Sequence, residues 1–431
     1  MKQTDRAMTF WQLAAFGVLT TPLAMVGFAL VIYVPTFYAV DVGLGLGVVG
    51  AVFLAGRVLD VVTDPLIGHL SDQTRHRLGP RLPWMLVGVP GLAIAAWLLL
   101  NPLEGAGLLY LILVSGSFFL FYTVLDVPYS SIGLEISPDT HERSYLASSK
   151  AIFQVIGAIL ASLIPVLVAS KMGVSLQIIA IVALGLLAAG LVAFLAFVPR
   201  KSEAQIPQRV GLLEGWKAVL AHRQFRYLAI TFFVVQGANA LTAGLAVLYV
   251  THVLQMPDVV GPFFLIIFIS TAGFLPLWVF LSKRFSKQSA WMVSIVVCTV
   301  ALVGAAMLVQ GNLVGLLVFA LALGAAFGCD AIMPTSILAD LVSEGDAQDN
   351  SRRAATFLAV KNAVSKLTFV LPMGLAFPVL DLVGFNEEGT NKASQLATLV
   401  FFFAWLPAMI RILAFVLLTR MKLQQSDLAN V

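Results

Sequence analysis

Arg57, Asp60 and Asp64 lie three, four and seven residues apart in the apolar run GRVLDVVTDPLIG, where hydrocarbon ordinarily tolerates no charge. On an α-helix these spacings share one face, so the three ionisable groups can turn together from lipid toward one polar spot. Each charged residue at the bilayer centre costs roughly 2.5 to 3.5 kcal/mol on insertion scales, so such a cluster marks a functional site. The structural alternative is an Arg/Asp pair that ties helices together, which would need only one of the two acids. Thr123 and Asp126 follow, three apart in FYTVLDVPYS. With Asp60 and Asp64 they offer hard oxygen ligands that suit Na⁺, or acids able to share H⁺. A hydroxyl bonded back to its own helix carbonyl is the other reading of Thr123.

Basic partners come late in the chain. Lys361 and Lys366 lie inside the apolar stretch ATFLAVKNAVSKLTFVLP, with Asn362 on the face of Lys366. A buried lysine must find an anion or lose its proton. Lys366 is therefore expected to reach the acids, so that cation binding and lysine pairing compete; a fixed structural salt bridge is the alternative. Asp330, in GCDAIMP, either pairs with Lys361 or contacts a solute. Arg411 is expected to snorkel from the outer third of its helix. Gln236, Asn239 and Thr242 make a polar stripe that reads as a cavity wall or as helix-to-helix hydrogen bonding.

The elements that must position these residues follow from composition. The chain has 431 residues, 60% of them hydrophobic and 11% charged, with a mean hydropathy of +0.95. This excludes a soluble globule and indicates a polytopic membrane protein embedded in a lipid bilayer. Apolar runs of about 20 residues recur without period-2 alternation, so the spans are helices and the class is all-α. Breaks near Asp41, Thr74, Asn101, Ser137, Lys171, Pro199, Asp258, Lys283, Asn312, Gly345 and Glu388 give twelve transmembrane helices. The first runs from Phe10 to about Tyr38, too long for a signal-peptide core.

Alternate loops are basic: Arg75, Arg77 and Arg81, then Arg143, then Arg200 to Arg226, then Lys283, Arg284 and Lys287, then Arg352 and Arg353, and last Arg420 and Lys422. These loops and both termini are expected in the cytoplasm of a plasma (inner) membrane protein. The polar interval at 199–223 separates a six-helix bundle at 1–198 from another at 224–431, with a short amphipathic piece around Leu212 to Leu220. SDQTRHRLG after the second helix is weakly echoed by SKRFSKQS after the eighth. Halves repeated about a central loop suggest a carrier that rocks around a midplane site. Prolines including Pro22, Pro35, Pro65, Pro128 and Pro407 kink helices around a cavity or are ordinary membrane-helix composition.

Enzyme patterns are absent: no phosphate-binding glycine loop, no HExxH and no serine elbow. The five histidines are scattered, and Cys298 and Cys329 lie in apolar runs, which suggests neither a metal centre nor a disulfide framework. The net charge of +4 is explained by topology, so nucleic acid is not implied. Without a nucleotide site, pumping must draw on an ion gradient, and no cofactor beyond Na⁺ or H⁺ is expected.

Four stretches, DVVTDPLIGHLSDQTRHRLGPRLPW, DVPYSSIGLEISPDTHERSYL, ILADLVSEGD and RRAATFLAVKNAVSK, resemble the glycoside/pentoside/hexuronide:cation symporters of the major facilitator superfamily. The similarity covers nearly the whole chain, and the first two stretches are quite specific. It implies the major facilitator fold and a cation site of Asp60, Asp64 and Thr123, where Na⁺ would be the metal held by Asp60 and Asp64. It implies Lys366 as the coupling lysine, Asp126 as an acid serving the sugar beside the cation, and Arg57 as part of the same helix-two pattern. Departures concern the solute. Thr21 and Pro22 stand where the melibiose carrier of that family has a Lys-Asp pair, Ser130 replaces its tryptophan, and its helix-five arginine falls on Ala151 beside Lys150. A lost acid and the extra Lys361 shift the cavity toward positive, which hints at an anionic or uronide-like solute.

The sequence thus predicts a monomeric, cation-coupled secondary symporter of a sugar, glycoside or uronide-like solute, with Asp126, Lys361, Asp330, Asn239 and Asn362 as solute-facing candidates and Lys366 and Arg57 in coupling. The alternatives are a lysolipid or other organic-solute symporter, and a non-transporting assembly factor or sensor on a carrier fold.

Overall fold

The computed structural model describes residues 8–136, 140–168, 172–199, 223–343, 368, 372–386 and 389–421. Among these the chain is built of helices, and eleven of them are long and apolar enough to cross a membrane. The stretch predicted as a further span, around Lys361 and Lys366, lies outside the described residues apart from Thr368, as does the amphipathic piece at Leu212 to Leu220. The chain divides into two compact units, Met1–Pro207 and Gln208–Val431.

The first unit begins with α1 (Phe10–Val18), α2 (Thr20–Ile32) and α3 (Val34–Ala39). One continuous helix is predicted over this run; the structure interrupts it at Leu19 and at Tyr33. Proline explains both interruptions, because Pro22 and Pro35 lack the N–H groups that would bond to the carbonyls of Val18 and Val31. Thr9 starts α1 with a reciprocal capping box: Gln12 N–H donates to Thr9 Oγ1 and Thr9 N–H to Gln12 Oε1. Then come α4 (Leu46–Gln73), α5 (Leu82–Leu100), α6 (Leu108–Glu135), α7 (Thr140–Val168) and α8 (Met172–Phe197). Gly45 enters α4 with φ of 79°, a left-handed conformation that an L side chain would strain.

Helix α6 packs against both α4 and α5, and α2 packs against α7 and α8. The α4/α6 contact is close because Gly56 is bare: a Cβ there would overlap the Phe119 ring. Phe119 thus lies against α4 one residue before Arg57. Gly56→Leu is expected to push α4 and α6 apart and cost about 1–3 kcal/mol as overpacking. Thermal melting of the detergent-solubilised variant checks this; an unchanged melting temperature would show that the contact is loose.

The second unit contains α9 (Arg223–Leu248) with the π turn Tyr249–Val253, α10 (Val260–Arg284), α11 (Lys287–Ala306) and α12 (Leu313–Ser343). After the π turn Pro372–Ala376 follow α13 (Phe377–Leu382), α14 (Ala393–Val400), the π turn Phe401–Trp405 and α15 (Leu406–Thr419). Pro407 again explains the irregular turn before it, since the carbonyl four residues back loses its donor. Helices α9, α11, α12 and α15 meet around Phe232, Val235, Trp291, Met333 and Ala414, all buried.

Candidate functional site

Helices α4 and α6 bring three oxygens together. Thr123, fully buried, points its Oγ1 at Asp60 Oδ1, 3.3 Å away, and at Asp64 Oδ1, 3.0 Å away. A hydroxyl has one proton to donate, so it satisfies one carboxylate at a time and offers the other only a lone pair. A monovalent cation or a proton between these atoms would relieve that conflict. The contact also decides the Thr123 alternative: its hydroxyl reaches another helix rather than its own carbonyl.

Asp60 is 2% exposed, and its second oxygen accepts from Arg57 Nη1 at 3.1 Å. Because these residues are three apart on one helix, the pair does not tie two helices together. The Arg57 guanidinium also sits 5.0 Å from the centre of the Phe119 ring, an attractive placement over a π face. Arg57 therefore has a carboxylate and an aromatic ring among its partners.

Asp126 belongs to a neighbouring arrangement. Its Oδ1 accepts from Lys150 Nζ at 3.1 Å and from Ser130 at 3.3 Å, and Lys150 also donates to Ser130 at 2.6 Å. Asp126 is thus paired with Lys150 of α7. Lys150 is further held over the Tyr129 ring at 4.8 Å. Tyr129 in turn donates to the Phe16 carbonyl at 2.6 Å and accepts from the Thr20 hydroxyl at 2.8 Å. Tyr122 lies in electrostatic reach of Asp126, Arg57, Asp60 and Asp64. Lys150 was visible in the sequence only as a neighbour of Ala151, and nothing in the spacing singled out Tyr122.

Both partners in the Lys150–Asp126 pair remain about a quarter exposed, so the pair is worth little to folding. Lys150→Gln is expected to change stability by less than about 1 kcal/mol while sharply reducing solute uptake. Uptake and melting measured on the same preparation check this; a large melting loss with intact uptake would assign the lysine to structure.

In the second unit Asp330 and Arg411 form a pair at 2.8 Å, with 2% and 1% of their side chains exposed. Arg411 is thus buried in the bundle and does not snorkel. Its hydropathic surroundings resemble a lipid-facing position, but the acid on α12 explains the burial. Asp330 Oδ1 accepts from the indole of Trp291 at 2.9 Å, and Oδ2 accepts from Asn239 at 3.1 Å. Asn239 also donates to Gln236 at 3.0 Å and accepts from Arg411. Thr242 completes the stripe by donating to the Phe403 carbonyl, so this end of it is a helix-to-helix bond. Lys361, Asn362 and Lys366 lie outside the described residues. Among the described residues no cluster of three His, Cys, Asp or Glu is arranged to hold a metal ion.

The family described as MFS/sugar transport protein matches residues 15–425. The chain belongs to that family. Proteins similar to this chain include the sodium-dependent lysophosphatidylcholine symporter 1-A of Danio rerio, 22% identical over 89% of this chain and 80% of that protein. The putative glycoside/cation symporter YagG of Escherichia coli strain K12 is 27% identical over 58% of this chain and 56% of that protein. An uncharacterized symporter of Synechocystis is 35% identical over 31% of this chain and only 26% of that protein. Among solved structures, the nucleoside transporter NupG superposes with a TM-score of 0.70 at 16% identity, covering 96% of this chain and all of that one. A bacterial homologue of the human lysosomal transporter Spinster gives 0.70 at 13% identity, over 97% and 98%. At such identities the superpositions establish the fold alone. The MFS/sugar transport family member is thus a multi-pass membrane protein whose relatives are transporters, not enzymes.

Proposed function

We propose that this protein is a cation-coupled symporter in which Asp60, Asp64 and Thr123 bind one Na⁺ or H⁺, and Asp126 with Lys150 contacts a sugar, glycoside or uronide-like solute. The observation that carries this reading is the convergence of two carboxylates from α4 on one buried hydroxyl from α6. An uncompensated charge in a closing, drying site is expensive. Alternating access is therefore open to the fully loaded or the empty carrier and closed to the half-loaded one, which couples the two fluxes. Arg57 supports coupling by competing for Asp60 when the cation is absent, with the Phe119 face as its refuge when the cation is present. The basic ends of α4 and α10, including Arg75, Arg77, Lys283 and Arg284, support a cytoplasmic placement of these ends and of both termini.

A lysolipid solute is the second reading, favoured by the extent of similarity to the Danio rerio lysophosphatidylcholine symporter. Proteoliposomes loaded by imposed Na⁺ or pH gradients test the proposal and separate the two solute classes. Gradient-driven uptake of a glycoside or glucuronide supports the first, and uptake of lysophosphatidylcholine supports the second. Solute entry that ignores both gradients refutes cation coupling.

A further inference from the structure

Helices α11 and α15 are tied together at one end and parted further along. At the tied end the Gln288 amide donates to the carbonyls of Leu418 and Met421, at 2.6 and 2.9 Å, joining the start of α11 to the end of α15. Deeper in the two membrane-spanning segments a groove of about 170 Å³ opens between them. It is lined by Ile295, Val296, Thr299 and Val300 of α11 and by Ile412 and Phe415 of α15. Its rims are open, with Val300 66% and Ile412 55% exposed. Thr299 donates its hydroxyl to the Ile295 carbonyl of its own helix at 2.7 Å, so the lining presents hydrocarbon to a guest. An apolar cavity of about 150 Å³ stays dry and takes up apolar guests, and inside a bilayer the apolar guest at hand is an acyl chain.

The depth of the groove and the charge above it narrow the guest further. Counted from the tied end, Phe415 and Ile412 precede Arg420, and Val300 follows Lys287, by spacings that place the lining roughly 7 to 20 Å below the helix ends at about 1.5 Å per residue. That is the depth of the acyl chains of one leaflet, in a hydrocarbon core about 30 Å thick. The tied end itself is basic. Lys283 and Arg284, both exposed, close α10 just before α11 begins, and the exposed Arg420 follows α15. Lys287 turns the other way and donates to the Ser336 carbonyl of α12. No Asp or Glu occurs between Val259 and Cys329 or between Arg411 and Ser426, so neither segment supplies a carboxylate to offset these cations. A cationic rim above an apolar slot complements a molecule with an anionic head and a hydrocarbon tail.

We propose that the groove between α11 and α15 is a binding site for one anionic phospholipid of the surrounding bilayer. One acyl chain lies between Val300 and Ile412, and the phosphate meets Arg420, with Lys283 and Arg284 adding to the positive field. A zwitterionic lipid fills the groove equally well but carries its own ammonium against the basic rim, so the site discriminates by headgroup charge. The bound lipid braces the two helices that contribute Trp291 and Arg411 to the buried network around Asp330. The site shares no residue with the cation oxygens or with the Asp126–Lys150 pair, and it stands independently of the symporter reading.

The test is native mass spectrometry of the full-length protein released from detergent, titrated with palmitoyl-oleoyl phosphatidylglycerol or with the matching phosphatidylcholine. The expected result is that the first phosphatidylglycerol binds about tenfold tighter than the first phosphatidylcholine. The charge variant Lys283→Gln/Arg284→Gln/Arg420→Gln should bring the two lipids to parity. The groove variant Val300→Trp/Ile412→Trp, which fills the slot from its exposed rims, should weaken phosphatidylglycerol about tenfold. Arg75→Gln/Arg77→Gln, at a basic loop of the first unit, is the control and should keep the wild-type preference. Melting in lipid-free detergent confirms that each variant is folded, and because the charge and groove variants act at different places, either one alone decides the matter. Equal binding of the two lipids by the wild type, wild-type binding by a folded charge or groove variant, loss of the preference in the control, or a protein dimer that replaces the lipid complex would overturn the site.

Discussion

Asp60→Asn is expected to keep folding and insertion but abolish gradient-driven accumulation of solute in vesicles, leaving entry to stop at equal concentrations on the two sides. Asparagine has nearly the shape of aspartate and retains an oxygen that can accept from Thr123 or Arg57, so the packing of α4 on α6 persists. What it removes is the charge that a Na⁺ or H⁺ would neutralise. The carboxylate is 2% exposed, in surroundings where an ion and its counter-charge feel each other far more strongly than in water. Asp64→Asn is expected to act in the same direction, because Thr123 reaches both acids. Uptake of labelled solute under an imposed Na⁺ or pH gradient measures the effect, and unchanged accumulation in Asp60→Asn would refute the scheme.

The largest effect on stability is expected in the other unit. Arg411→Met leaves Asp330 buried without its counter-ion, a loss of roughly 3–5 kcal/mol for breaking a buried pair. The indole of Trp291 and the amide of Asn239 remain as donors, but neither carries a positive charge. Combining Arg411→Met with Asp330→Leu removes both charges and is expected to recover most of the loss, since buried pairs replaced by apolar groups of similar volume are often neutral or better. The double variant would stay folded yet leave Asn239 and Gln236 without their fixed partners. Denaturation of wild type, both single variants and the double variant measures the coupling. A single variant as stable as wild type would show that the pair contributes nothing to the fold.

How much of this could be read from residues alone depended on the distance over which each feature acts. The helical architecture was legible because twenty-residue apolar runs are local and the bilayer gives the backbone few other choices. The convergence of Asp60, Asp64 and Thr123 was also legible: two acids four apart share a helix face, and a third polar group in another span has few partners in hydrocarbon. The pairing of Arg411 with Asp330 was not. These residues are 81 positions apart, and no spacing rule tells an arginine that snorkels from one that meets an acid on another helix. Lys150 was obscured in a similar way, since its partnership with Asp126 depends on how α7 is rotated against α6. The helix interruptions at Leu19 and Tyr33 lie inside an unbroken hydropathic run, and only Pro22 and Pro35 marked them. Lys361, Asn362 and Lys366 remain proposals on the strength of the sequence.

The most direct test of the central claim is equilibrium cation binding to the purified protein, read as melting temperature against Na⁺ concentration at two pH values. A ligand that binds only the folded state stabilises it by RT ln(1 + [L]/Kd), about 2.7 kcal/mol at one hundred times Kd. The account predicts that wild-type protein is stabilised progressively by Na⁺ or by H⁺, and that the Asp60→Asn/Asp64→Asn double variant gives a flat response to the same ion. Equal stabilisation of the wild type and the double variant would place the coupling ion elsewhere and contradict the account.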